Sequence, residues 1–112
     1  MFVSYPAVFL KNVESLGFTI LFPDLPGCIS CGNDVKDALY MANDALGCFL
    51  FDDYARLEDM PKSSLLEDID LRDFIEEDEY KYLSLEGSFK SYVGLNLTDY
   101  VKNMKRKLLR KM

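Results

Sequence analysis

The sequence contains no histidine and no tryptophan, and only three of its 112 residues are cysteine. Each shortage removes a class of activity. Without an imidazole there is no Ser-His or Cys-His pair to generate a nucleophile. A structural zinc wants nitrogen or sulfur ligands in a closed set of four, which three thiols do not complete. An odd number of cysteines does not describe a disulfide framework. Apolar runs are short as well, and none approaches the ~20 residues that span a bilayer. The first ten residues lack the charged start and long apolar stretch of a secretory signal. No G-x-x-x-x-G-K-[ST] or G-x-G-x-x-G motif occurs. The expectation is a cytoplasmic protein without cofactor, metal, small-molecule substrate or membrane partner.

What is present is apolar bulk and an uneven charge map. Hydrophobic residues make up 49% of the chain, with eight Phe and seven Tyr, enough for one modest core. The net charge is −6, but the part before residue 102 stands at −12 and the tail from Lys102 at +6. Between Leu66 and Glu79 lie eight acids and one base, Arg72. So acidic a body repels phosphate backbones and attracts a basic partner. Within this segment Glu67, Asp70, Asp73, Glu76, Glu77 and Asp78 are the candidate partner-binding residues, with a solvated charged loop as the alternative reading. In the tail, Lys102, Lys105, Arg106 and Arg110 are candidate contacts to DNA or to an acidic surface. That surface includes the 66–79 segment of the same or a neighbouring chain.

Period-2 alternation predicts strands over Phe2–Leu10, Phe18–Phe22, Cys28–Cys31 and Phe89–Leu97. Pro6 cannot donate to a ladder, which predicts an edge position or a bulge for the first strand. Pro23-Asp-Leu-Pro-Gly27 carries turn chemistry. Asn33 or Asp34 can cap a helix in which Val35, Ala38, Leu39, Ala42, Ala45, Leu46, Phe49 and Leu50 recur at helical spacing. A second apolar line, Met41, Cys48 and Phe51 beside Tyr40, implies burial on another side, by self-association or by a deeper core. Ser63-Ser64 and Asp70 precede short helical patterns. Thr98 is the expected cap of a last helix with Val101, Met104 and Leu108 in one stripe. The fold class is therefore α+β, with elements in the order β-β-β-α-(α)-β-α and a basic helix at the C-terminal end. Residues 1–100 form the domain and 101–112 the basic tail.

Cys28-Ile-Ser-Cys31 matches C-x-x-C, but side chains three apart in a strand point to opposite faces. The helix begins after Gly32, so neither thiol sits at its N-terminus, where a redox cysteine is activated. The motif reads as architecture. An enzyme, whether residual nuclease or thiol protein, is the weakest of the functional readings.

The run Tyr5-Pro6-Ala7-Val8-Phe9, then Gly17-Phe18-Thr19-Ile20, then Phe22-Pro23-Asp24-Leu25-Pro26-Gly27-Cys28, Gly32 and the Ala-rich helix with Asp37-Ala38-Leu39, Ala42 and Ala45-Leu46 resembles the HicB antitoxin family. The resemblance covers Met1 to about Tyr54 and, more faintly, Ser88–Tyr100. It implies a three-stranded antiparallel sheet, a long helix packed on it and a returning fourth strand, a degenerate ribonuclease H-like fold without catalytic residues. It also implies the function of an antitoxin that binds and occludes HicA, a small basic mRNA-cleaving toxin, as a homodimer or higher homo-oligomer. Family members usually continue into a ribbon-helix-helix or helix-turn-helix domain that represses their own operon. Here one helix follows the fourth strand. The alternative function, a DNA-binding autoregulator, rests on strand 89–97 and the basic tail.

Overall fold

A computed structural model describes residues 1–52, 60–75 and 82–110. Among them, β1 (Phe2–Asn12), β2 (Phe18–Leu21), β3 (Ile29–Gly32) and β4 (Leu83–Asn96) form one antiparallel sheet in the spatial order β3-β2-β1-β4. The helices are α1 (Val35–Asp52) and α2 (Leu97–Arg110). The predicted α+β order holds, and the returning strand completes the sheet by pairing with β1.

The alternation of β1 divides the molecule. Tyr5, Ala7 and Phe9 face the helices and share one core with Phe18, Ile20, Phe22, Val93 and Leu95. Phe9 and Phe89 stand directly opposite each other and stack with centroids 4.5 Å apart. α1 lies on this face because Ala38, Ala42, Leu46 and Leu50, four residues apart, form a single buried row. The alanines bring the helix close to the sheet. A Cβ added at Gly32 would sit 2.4 Å from the Ala38 Cα, so only glycine fits there. At the start of α1 the Asp37 N–H donates to Asp34 Oδ1 and the Asn33 N–H donates to Asp37 Oδ2, each at 2.8 Å. Asp34 is thus the cap. The second apolar line is covered only in part, since Cys48 and Tyr40 stay exposed. Met41 and Phe51 pack half-buried against the core, and Gly47 lies under the Tyr100 ring of α2.

Two expectations are corrected. β1 is not an edge strand: β2 and β4 flank it, and its register is regular at Pro6, which stands opposite Tyr92. The Asn12 N–H points to the β2 side, to the Gly17 carbonyl, and Pro6 has the same parity. The β2 ladder starts only at Val8, so the missing N–H of Pro6 costs no ladder bond. The one irregularity lies further on, where pairing jumps from Phe9↔Phe89 to Lys11↔Ser84. There Gly87 adopts φ 86° and Ser88 Oγ accepts the Lys11 N–H at 2.8 Å. The second correction concerns α2. Asn96 is its cap, with Oδ1 accepting the Asp99 N–H at 3.1 Å, and the helix is already under way at Thr98.

The opposite, or back, face of the sheet carries Pro6, Val8 and Leu10, all fully buried. The segment 60–75 crosses it as a strap. The Tyr5 hydroxyl donates to the Pro61 carbonyl at 2.6 Å where the chain rounds the end of the sheet. The Ser64 N–H and hydroxyl then donate to the two carboxylate oxygens of Asp24, at 2.7 and 2.6 Å. On the far side the Leu66 N–H donates to the Tyr92 hydroxyl at 2.8 Å, and Lys90 Nζ donates to the Ile69 carbonyl at 2.7 Å. The short helical patterns of the sequence are here single turns of 3-10 helix, Leu66–Asp68 and Leu71–Phe74.

Candidate functional site

The strap and the outer part of β4 enclose a groove. Its two contiguous sections, of 390 and 510 Å³, share Glu67 and Lys90. Leu65, Leu66, Ile69, Leu71, Leu85 and Tyr92 give it apolar walls. Leu65, Leu85 and Tyr92 are themselves largely exposed. Of the strap's acids, Glu67 and Asp70 line this groove, together with the bases Arg72 and Lys90. Glu67 lies on the first 3-10 turn and lines both sections, while Asp73 lies exposed on the second. Asp70 caps the second turn, accepting the Arg72 N–H at 3.0 Å and two guanidinium contacts at 3.2 and 2.8 Å. These hydrogen bonds hold its carboxyl at about 2. Glu76, Glu77 and Asp78 lie outside the described residues.

The basic candidates sit elsewhere. Lys102, Lys105, Arg106 and Arg110 are all exposed on α2. The root of that helix is anchored on the helix face of the sheet by Leu97 and Val101. Beyond Met104 the helix grows exposed, with Lys107 still lining a hollow beside Tyr40 and Asp44 of α1. Leu108 is 51% and Leu109 68% exposed, and every residue from Lys105 to Arg110 is exposed. The internal pairing of tail and acidic segment therefore does not form among the described residues, where the ion pair is Arg72–Asp70. The reason is topological: strap and tail occupy opposite faces of one sheet. β4, the strand of the DNA-binding alternative, pairs with β1 and has Val93 and Leu95 buried in the core.

The cysteines follow the alternation read from the spacing. The Cys28 thiol is buried toward α1, 3.7 Å from the Ala45 carbonyl, and burial pushes it up to about 11. Cys31 is exposed, and all three cysteines are free. Cys48 Sγ lies 3.1 Å from the Tyr100 hydroxyl. Among the described residues no three of Cys, Asp and Glu are grouped to hold a metal. No helix there is long and apolar enough to cross a membrane.

Sequence reasoning named Glu67 and Asp70 but missed the rest of the groove's lining. Asp24 was legible only as part of a turn, and nothing local announces a bond to Ser64, 40 positions away. Tyr92 and Lys90 were placed on a strand whose opposite face was the one read as buried. The alternation Lys90, Tyr92 was the available signal.

Fold and surface together define a small α+β protein that presents a largely apolar groove, lined by two acids and two bases, on one face and a cationic helix from the other. Residues 5–84 match the model of the HicB-like antitoxin of bacterial toxin–antitoxin systems, and the chain belongs to that family. Its fold is similar to a chain of the toxin–antitoxin complex from Streptococcus pneumoniae, with TM-score 0.77 and 26% identity, over 90% of this chain and 74% of that one. The N-terminal domain of the Burkholderia pseudomallei antitoxin HicB aligns with TM-score 0.53 and 20% identity, over 85% of this chain and 100% of the domain. A structure of the Burkholderia pseudomallei antitoxin HicB aligns at 0.59 and 22%, over 86% of this chain and 65% of that chain. A comparison with curated protein sequences returns no match.

Proposed function

We infer that this chain is the antitoxin of a HicAB-type system and neutralises a small basic mRNA-cleaving toxin in the cytoplasm by covering it, without chemistry of its own. The observation that carries the reading is the family match over residues 5–84. The likeness to a chain of a solved toxin–antitoxin complex adds to it. The charge map supplies a physical route. An RNA-binding toxin exposes lysines and arginines, and Glu67, Asp68, Asp70 and Asp73 along the strap steer such a surface to the groove. Leu65, Leu85 and Tyr92 then provide the desolvated anchors that hold it.

The test is co-expression with the HicA-type toxin encoded beside the gene. Growth rescue and co-elution on a sizing column are expected. Neither rescue nor complex would sink the reading. For the surface, Glu67→Lys/Asp73→Lys is expected to weaken the complex at least tenfold at low salt, with the loss shrinking as salt rises. An unchanged affinity would place the toxin on another face.

A further inference from the structure

We propose that Ser64 is a phosphoryl-acceptor site and that its phosphorylation unlatches the strap and dismantles the groove. The inference concerns the chain alone and needs no toxin.

The first observation is the latch. The Ser64 N–H and hydroxyl both end on the carboxylate of Asp24, at 2.7 and 2.6 Å. Asp24 cannot follow a moving strap, because its turn is closed on itself. The Leu25 N–H donates to the Phe22 carbonyl at 3.0 Å and the Cys28 N–H to the Leu25 carbonyl at 2.9 Å, around a fully buried Leu25. Among the described residues the ion pair is Arg72–Asp70, so no cation neutralises Asp24 there. The latch is thus two donors on one fixed anionic acceptor. It holds only while position 64 supplies donors.

The second observation is how Ser64 is presented. Residues 60–65 form neither helix nor strand, and Pro61, Lys62, Ser63 and Leu65 are exposed. Leu65 is extended, at φ −76° and ψ 137°. Such a segment, tied by separate polar bonds, opens locally and fits the cleft of a modifying enzyme. Three and four positions further on stand the exposed Glu67 and Asp68. A serine kinase with a basic cluster beside its catalytic centre reads acids at that distance. In the transfer, the Ser64 oxygen bonds to the γ-phosphorus of the kinase's nucleoside triphosphate. The bond to the nucleoside diphosphate breaks, and the hydroxyl proton passes to the kinase's base.

The third observation is what the product meets. A phosphoserine carries about −1.5 to −2 charges at pH 7 and has lost the hydroxyl donor. It would stand where the Ser64 hydroxyl now touches the Asp24 carboxylate, and like charges at that distance repel. Leu65 and Leu66 follow directly and wall the 510 Å³ section of the groove with Tyr92. Opening at Ser64 therefore takes that wall away. Ser63 provides the contrast: it is exposed, and its hydroxyl reaches only the Ser64 carbonyl, at 3.4 Å. A phosphate there leaves both latch donors in place.

The experiment has two arms. Tandem mass spectrometry of the full chain, purified from its native cells through growth and starvation, is expected to find a phosphoryl group on Ser64. Its absence under all conditions overturns the proposal. In the second arm, phosphoserine is installed at position 64 by genetic encoding, and thermal melting checks that the chain folds. Hydrogen exchange over 62–69 is expected to quicken about tenfold or more, while α1 keeps its protection. Phosphoserine at position 63 is expected to leave exchange unchanged. Asp24→Asn in the chain with phosphoserine at 64 is expected to restore protection, because a neutral amide can donate to the phosphate. A strap as protected with phosphoserine at 64 as without it overturns the proposal. So does a failure of Asp24→Asn to recover protection, which would make the opening a loss of shape with no part played by charge.

Discussion

The two faces of the sheet are held by different physics. On the helix face, Ala38, Ala42, Leu46 and Leu50 of α1 meet Tyr5, Ala7 and Phe9 of β1 in a layer closed to solvent. On the back face the covering strap contains no fully buried residue in either 3-10 turn. It is tied down by a few hydrogen bonds, chiefly Ser64 to Asp24, Leu66 to Tyr92 and Lys90 to Ile69. Close-packed apolar layers fail as a unit, whereas polar tethers can be released one at a time. A surface that must receive a partner belongs on the second kind of face.

The contrast is broken most severely at Gly32. An added Cβ meets the Ala38 Cα at 2.4 Å and the Ala38 nitrogen at 2.5 Å. These are backbone atoms that cannot swing away. Gly32→Ala is expected to cost about 3 kcal/mol, read from the urea midpoint, because α1 as a whole must lift from the sheet. A loss under about 1 kcal/mol would mean that the helix rides loosely on the sheet, and the contrast would fail.

Releasing the strap is expected to cost less and to act locally. Asp24→Ala removes the acceptor of both Ser64 bonds. About 2 kcal/mol is expected for a lost pair of charge-assisted hydrogen bonds. Hydrogen exchange should accelerate at residues 62–75 while the α1 amides keep their protection. Equal acceleration in α1 would show one cooperative unit with no distinction between the faces.

This division also explains what the sequence disclosed. The helix face was legible because its signals are local and periodic: the Ala38–Leu50 row, the Phe18–Ile20–Phe22 alternation, the Pro-Asp-Leu-Pro-Gly turn. The back face was legible only in part. Pro6, Val8 and Leu10 alternate with the core residues, but sequence does not say what covers them. Pro6 was misread as an edge signal because the position where the β2 ladder begins is a tertiary fact. The acids of the strap were visible as a charge cluster, and Asp70 as a helix start. Their gathering beside Leu85, Lys90 and Tyr92 depends on where β4 returns, which no short-range pattern encodes.

Alkaline pH sharpens the comparison from the other side. Three groups with raised values lie on the helix face. Burial lifts Cys28 from 9.0 to about 11. Burial, then the Asp24 carboxylate, raises Tyr5. Burial, then the Cys48 contact, raises Tyr100. A folded value above the unfolded one means that the contribution is complete below the unfolded value and is lost as pH climbs toward the folded one. Stability is thus expected to fall from about pH 9, with Cys28 accounting for about 1 kcal/mol by about pH 10. Cys28→Ala should remove that part of the slope. An identical slope in the variant would show that the thiol is not held neutral by the core.

The smallest expected effect lies on the back face and has the opposite sign. Asp70 is only half-buried, yet the Arg72 N–H and guanidinium bond its charged form and hold it at about 2 instead of the ordinary 3.8. A depressed folded value means that its contribution is present above the unfolded value and is lost as pH falls toward the folded one. The second 3-10 turn should therefore keep its cap through pH 4 and lose it only near pH 2. Carboxyl NMR through an acid titration gives the midpoint directly. Because hydrogen bonds outweigh bare charge attraction here, high salt should move that midpoint little. A midpoint at 3.8 would mean that the turn is uncapped in solution. The rim of the groove would then lack the one fixed carboxylate from which its geometry starts.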